Sequence, residues 1–210
     1  WYAKNGWNIF PCAGIVNGKC SCSNPHPDPK DTGKHPTIAA WNVEATSDLD
    51  QITKWWKTWP DANIGLQCRE SGFMVIDIDP PHDRFDLAIF AVRLLKDKLR
   101  EKGYSTDLML TGSKGFHIIS QCKNKESFEE IKNKLQELTK QLSHEHQDKF
   151  TTEIRKDKRF GRVYLDISRN AYGQTTIIPF SPRAQANAEI AKLIEWDELD
   201  TPDLKPNKYT

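Results

Sequence analysis

Met74-Val75-Ile76-Asp77-Ile78-Asp79 is an apolar run that ends in two acids one residue apart and is closed off by Pro80-Pro81. Val, Ile and Met favour a strand, and the prolines stop it. Side chains alternate along a strand, so Asp77 and Asp79 share one face while Met74, Ile76 and Ile78 anchor the other in a core. Two carboxylates on one rigid face repel each other unless a cation sits between them. Hard divalent ions with oxygen ligands, Mg²⁺ or Mn²⁺, suit that geometry. A strand end with two solvated acids would leave the same pattern, so the rest of the chain has to decide.

A second acid lies inside an apolar run at Val163-Tyr164-Leu165-Asp166-Ile167. A lone carboxylate there is costly unless it is paired or metal-bound, which makes Asp166 the candidate third ligand. Between the two acidic strands, Leu108-Met109-Leu110 and Phe116-His117-Ile118-Ile119 read as strands joined by Thr111-Gly112-Ser113-Lys114-Gly115. Glycines let backbone approach a ligand, and Ser113, Lys114 and His117 add a hydroxyl, an ammonium and an imidazole. That set suits a triphosphate. The turn is not a Walker loop, because the glycine spacing is wrong and no helix follows. Gln174 to Phe180 reads as a further strand that would carry Arg183 to the same edge.

The stretch 12–36 is rich in Gly, Pro, Asn and Asp, and would be poorly ordered without a staple. It contains Cys20, Cys22, His26 and His35, thiolate and imidazole donors of the kind that hold structural Zn²⁺. These four are the expected zinc ligands, with Cys12 or Asp28 as the alternative to His26. Of the 5 cysteines, 3 crowd into this segment, a pattern that fits a metal site in a reducing compartment better than a disulfide framework. The expected location is accordingly cytoplasmic.

Helices are expected after Asp48, from about Asp83 to Arg100, and after the capping box Ser127-x-x-Glu130. Asn63 to Cys68 reads as a strand beside the acidic one. The formal net charge is +1, so any polyanion site must come from local segregation of charge. No apolar run is long enough to span a membrane. The expected organisation is one catalytic domain over residues 1–200, with 201–210 a polar linker or tail toward further domains.

In order and coverage, Asp77-x-Asp79, Ser113-x-x-x-His117 and Asp166 resemble the archaeo-eukaryotic primase superfamily. The first part, through Gly33-Lys34-His35-Pro36, Trp41-Asn42, Trp55-Trp56 and Ala62-Asn63-Ile64-Gly65, looks like its bifunctional primase-polymerase branch, found in plasmids, phages and CRISPR-associated proteins. The later part, with Thr111 to His117, Asp166-x-x-x-Asn170 and Thr175 to Arg183, is similar to the polymerase domain of bacterial end-joining ligases. The resemblance implies a two-lobed α/β (α+β) fold with an antiparallel sheet of RNA-recognition-motif type and an N-terminal α/β lobe. It implies DNA primase and polymerase activity through two Mg²⁺ or Mn²⁺ ions held by Asp77, Asp79 and Asp166. It also implies that Ser113, Lys114, His117, Arg159, Arg183 and Asn170 contact the nucleotide. Partners would be nucleoside triphosphates and a single-stranded template or primer-template. Zinc-bearing relatives often show a third Cys before the Gly-Lys-His-Pro turn, where His26 or Asp28 stands here. The rivals are a repair polymerase that extends but cannot start strands, a non-catalytic single-strand binder, and a metal-dependent nuclease.

Overall fold

The computed structural model describes every residue except 23–25, 27–31, 69–70, 123–125, 172–173, 184–188, 208 and 210. Among the described residues the strands are β1 (Ile9–Cys12), β2 (Ile15–Val16), β3 (Lys19–Cys20), β4 (Asn63–Leu66), β5 (Phe73–Asp79), β6 (Thr106–Leu110), β7 (Phe116–Gln121), β8 (Phe150–Thr151), β9 (Val163–Asp166) and β10 (Lys192–Ile194). The helices are α1 (Trp41–Glu44), α2 (Leu49–Thr58), α3 (Phe85–Glu101) and α4 (Phe128–Glu145). A six-stranded sheet in the order β10-β6-β7-β5-β9-β8 forms the body. Its pairs are antiparallel except β8–β9, which is parallel.

The alternation read from the sequence is realised on both sheet faces. Met74, Ile76 and Ile78 of β5, Leu108 and Leu110 of β6, Phe116 and Ile118 of β7, and Val163 and Leu165 of β9 pack into one core. Ala88, Val92, Leu95 and Leu99 of α3 and Ile131, Leu135 and Leu138 of α4 complete it. Two helices thus cover one face, as their apolar stripes require. The opposite face carries Val75, Met109 and Ile119, which pack against Trp7, Ile9, Leu66 and Ile178. An N-terminal lobe is therefore pressed onto part of that face, and the acids occupy the remainder.

α4 begins with the expected capping box: the Ser127 hydroxyl accepts from the Glu130 N–H, and the Glu130 carboxylate accepts from the Ser127 N–H. α2 is capped by Asp48, whose carboxylate accepts from the Gln51 N–H at 2.7 Å.

Two expectations are corrected. β4 pairs with β1, not with the acidic strand, because both edges of β5 are already taken by β7 and β9. Residues 174–180 are not a strand; their ladder contact is a single bridge between Thr176 and Leu66. Pro179 has no N–H to donate, and Phe180 takes the left-handed backbone, with φ of 65°. Within 201–210, Leu204 is buried in the core under the helices, and Tyr209 Oη donates to Glu198 Oε2 at 3.2 Å. Among the described residues, no helix is long and apolar enough to cross a membrane.

Candidate active site

Pairing across the sheet sets Asp77 opposite His117 on β7 and opposite Asp166 on β9. Directly paired residues point to the same face, with Cβ atoms about 4.5–5.5 Å apart. His117, Asp77 and Asp166 therefore form one transverse row, continued over the packed part of the face by Met109, the β6 partner of His117. Asp79, two residues along β5, stands on the same face beside Tyr164, its partner on β9.

Two carboxylates facing each other across a ladder repel. The protein compensates each acid from a different direction. His117 Nε2 lies 3.5 Å from Asp77 Oδ1, with the imidazole 4% exposed and the Asp77 side chain 22% exposed. Asp166 Oδ1 accepts from the Ser168 N–H at 2.7 Å. Asp79 Oδ2 accepts from Arg159 NH1 at 2.9 Å. Burial pushes the Asp77 carboxyl up, but His117, with Arg169 and Arg183 further off, holds it below the ordinary carboxylate value. Burial and the Asp166 charge push the Tyr164 hydroxyl up to about 12.

His117 and Asp77 of this row, with Asp79, open into a cleft of about 510 Å³. Its walls come from β5 (Asp77, Asp79), the turn before β7 (Ser113, Lys114, Gly115), the segment 175–183 and the N-terminal lobe (Gly33, Lys34, Asn63). Lys34, Lys114, Lys156, Arg169 and Arg183 line it against Asp77 and Asp79, so the cleft is cationic although the net charge of the chain is only +1. Burial pulls the Arg183 guanidinium below its ordinary value, and the Asp77 charge opposes that shift. Gly115 fixes the turn: a Cβ there would lie 1.9 Å from the Ile78 carbonyl oxygen, so only glycine lets the turn rest on the acidic strand.

The structure brings together Asp77, Asp79, Ser113, Lys114, His117 and Arg183 around this cleft, with Asp166 buried in register beside Asp77. Two further residues expected to contact nucleotide make bonds within the protein. Asn170 is buried and clamps β5: its Oδ1 accepts from the Val75 N–H at 2.8 Å, and its Nδ2 donates to the Val75 carbonyl at 2.6 Å. Arg159 is spent on Asp79 and on the carbonyls of Glu153 and Ile154, with its guanidinium 3.9 Å from the centre of the Tyr164 ring.

A second constellation lies in the N-terminal lobe. Asn17 and Gly18 both take the left-handed backbone and turn β2 into β3, which ends at Cys20. The donor atoms of Cys20, Cys22, His26 and His35 all lie within 4.8 Å of one another, and among the described residues this is the one such group. Cys20 Sγ is 3.4 Å from His35 Nε2, and Cys22 Sγ is 3.0 Å from His26 Nε2. Burial opposes ionisation of Cys20, but hydrogen bonds from the Cys22 and Gly33 N–H groups and from the Cys22 and His35 side chains bring its thiol down to about 6. Cys12 is not part of the group; it packs with Phe10 and Trp55. Asp28 lies outside the described residues.

The family model described as "LigD, primase-polymerase domain" matches residues 36–210. The chain belongs to that family. Its members are nucleotidyltransferases, and so is this chain. It is 30% identical over 147 residues to the bifunctional non-homologous end joining protein LigD of Bacillus subtilis, covering 69% of this chain and 24% of that protein. It is 28% identical over 137 residues to the multifunctional LigD of Mycobacterium tuberculosis strain H37Rv, covering 65% of this chain and 18% of that one. The chain thus spans about a quarter or less of the length of these curated relatives. A solved structure, the polymerase domain from Mycobacterium tuberculosis Ligase D in complex with DNA, superposes with a TM-score of 0.71 at 21% identity, over 95% of this chain and 77% of that one. The likeness shows a shared fold. The LigD match begins at residue 36, so the Cys/His group lies ahead of the matched segment.

Within this primase-polymerase domain the sequence reading missed Lys34 and Lys156 on the cleft wall. Lys34 was visible within Gly33-Lys34-His35-Pro36, and Lys156 within the basic stretch before β9, but neither run says which of its cations turns inward.

Proposed function

We propose that this domain adds nucleotides to a DNA strand under direction of a template, and that it also starts strands. The observation that carries the reading is the row His117–Asp77–Asp166, in which His117 and Asp77 line a cationic cleft and Asp166 is buried beside Asp77. The solved neighbour named as a polymerase domain in complex with DNA, and the relatives named as end-joining proteins, support DNA as the partner and break repair as a setting.

Three carboxylates on adjacent strands, two of them directly paired, form a hard oxygen donor set that fits a pair of divalent cations. Asp77, Asp79 and Asp166 would hold two Mg²⁺ or Mn²⁺ ions, which when bound acidify a 3′-hydroxyl and offset the charge that develops on the transferred phosphoryl group. The chain's own groups do the rest. Ser113, Lys114, His117 and Arg183 hold the triphosphate by charge-assisted hydrogen bonds. Thr176 Oγ1, 3.5 Å from His117 Nδ1, orients that ring. Arg159 fixes the Asp79 rotamer and with it the loop that leads to β9. Lys156 and Arg169 attract the strand backbone, so affinity falls with salt.

The Cys/His group fits Zn²⁺. Tetrahedral zinc sets sulfur and nitrogen ligands about 3.5 Å apart, and the two thiol–imidazole distances here are 3.4 and 3.0 Å. Cys20, Cys22, His26 and His35 would hold it, tying the loop to the lobe.

The test is nucleotide incorporation on a single-stranded circle with Mg²⁺ or Mn²⁺, with and without a primer. The expected result is product in both reactions. Product only with a primer leaves a repair polymerase. Binding without product leaves a single-strand binder, and template degradation leaves a nuclease.

A further inference from the structure

The Cys/His group and the cleft share a segment. Gly33 and Lys34 line the cleft, and His35, the next residue, belongs to the Cys/His group. The Gly33 N–H donates to Cys20 Sγ at 3.3 Å, so the backbone of the cleft wall is hydrogen-bonded to a metal-ligand sulfur. On the cleft side, Asn63 Nδ2 donates to the Gly33 carbonyl at 3.2 Å, and Asn63 is itself a wall residue. The Ala13 N–H donates to the His35 carbonyl at 2.8 Å, which ties the same segment to the lobe. Gly33 is buried with φ of 70°, and Lys34 is exposed toward the cleft. The segment around this wall has little apolar content of its own, so its position depends on these few bonds.

We propose that the Cys20/Cys22/His26/His35 centre is a positioning device for substrate, holding Gly33 so that Lys34 presents its ammonium to phosphate oxygens across the cleft from Asp77. Lys34 is then a substrate-binding residue, and metal occupancy sets the affinity of the cleft for phosphate. The inference rests on the reading of the cleft as a nucleotide site and of the group as a metal site. Phosphate oxygens occur both on a free triphosphate and on a strand, and Lys34 chemistry suits either.

Binding is measured without turnover, using the α,β-methylene analogue of dATP and, separately, a short oligodeoxythymidine with a 5′-hydroxyl. Wild type, Lys34→Ala and Lys34→Arg are compared, with metal content and circular dichroism recorded for each. The expected result is that Lys34→Ala keeps its metal and its melting curve yet binds the triphosphate about tenfold more weakly, while Lys34→Arg stays close to wild type. Removing zinc from wild type with a zinc-selective chelator in a constant excess of Mg²⁺, folding being monitored, should cost a similar factor. The same removal should cost Lys34→Ala little, since the group it would misplace is already gone.

Loss confined to the triphosphate assigns Lys34 to the nucleotide. Loss confined to the oligonucleotide assigns it to the strand. Unchanged binding of both ligands by metal-loaded Lys34→Ala overturns the inference while leaving the cleft assignment intact. So does an equal chelator effect in wild type and Lys34→Ala, or purified protein without bound metal. Failure of wild type to bind either ligand overturns the cleft assignment, and this inference with it.

Discussion

Asp77 and Asp166 face each other across adjacent antiparallel strands, although 88 residues separate them in the chain. Neither strand alone accounts for the pairing. β5 is held from its far side by His117, and β9 is led in by the loop that Arg159 pins to Asp79. The electrostatic cost of bringing these acids together is met by a separate partner for each carboxylate: His117 for Asp77, the Ser168 N–H for Asp166 and Arg159 for Asp79.

Asn170 is predicted to be a stability residue. Asn170→Ala leaves the buried Val75 N–H and carbonyl without the side chain that satisfies both. The expected cost is about 2–4 kcal/mol. Denaturant unfolding should show it, with the triphosphate affinity of the folded fraction retained.

The glycine of the turn makes a sharper test of geometry. Gly115→Ala drives a Cβ into the Ile78 carbonyl oxygen, so the turn must lift from the acidic strand. Overpacking of this kind costs about 1–3 kcal/mol. Because Ser113 and Lys114 move with the turn, kcat/KM should fall by about tenfold or more.

These two positions also show how far the sequence could be read. The alternation of Met74, Ile76 and Ile78 against Asp77 and Asp79, the Ser127-x-x-Glu130 cap and the glycine-bounded turn are local signals, and each became the element it implied. What failed depended on partner choice. Asn63–Leu66 is strand-like in either sheet, and only the occupied edges of β5 exclude it there. The Thr175 to Phe180 run is rich in β-branched residues and so reads as a strand, yet it lies between lobe and sheet, where Thr176 and Ile177 line the cleft and Ile178 fills the core. Asn170 and Arg159 are polar residues near acids, and sequence cannot tell a ligand contact from a bond to the protein's own backbone or carboxylate. The four Cys/His residues were legible because few other side chain types hold a soft metal.

The row also predicts a pH response in metal-free protein. Asp77 has a folded-state pKa below its ordinary value of 3.8, so the stability it contributes is fully present above about pH 4 and is lost as pH falls through the folded value. His117→Ala removes the main partner that lowers it and leaves burial to dominate, so the Asp77 titration should move upward. Carboxyl NMR of the metal-free wild type and variant measures this, with a downward or absent shift counting against the His117–Asp77 contact.

For the Cys/His group, the thiol of Cys20 at about 6 means a thiolate ready to ligate at neutral pH. Metal should be retained at pH 7 and released at lower pH, where protons outcompete the ion for its ligands. A chromophoric chelator added over a pH series reads the release directly. Cys12→Ser should leave the curve in place, since Cys12 lies outside the group.

If carboxylates on neighbouring strands form one catalytic centre beside this cleft, template-directed primer extension with Asp166→Ala reads it out. The expected outcome is a loss of about 10³-fold or more in kcat, with the fold and oligonucleotide affinity preserved. Extension within about tenfold of wild type by a folded Asp166→Ala protein would contradict it.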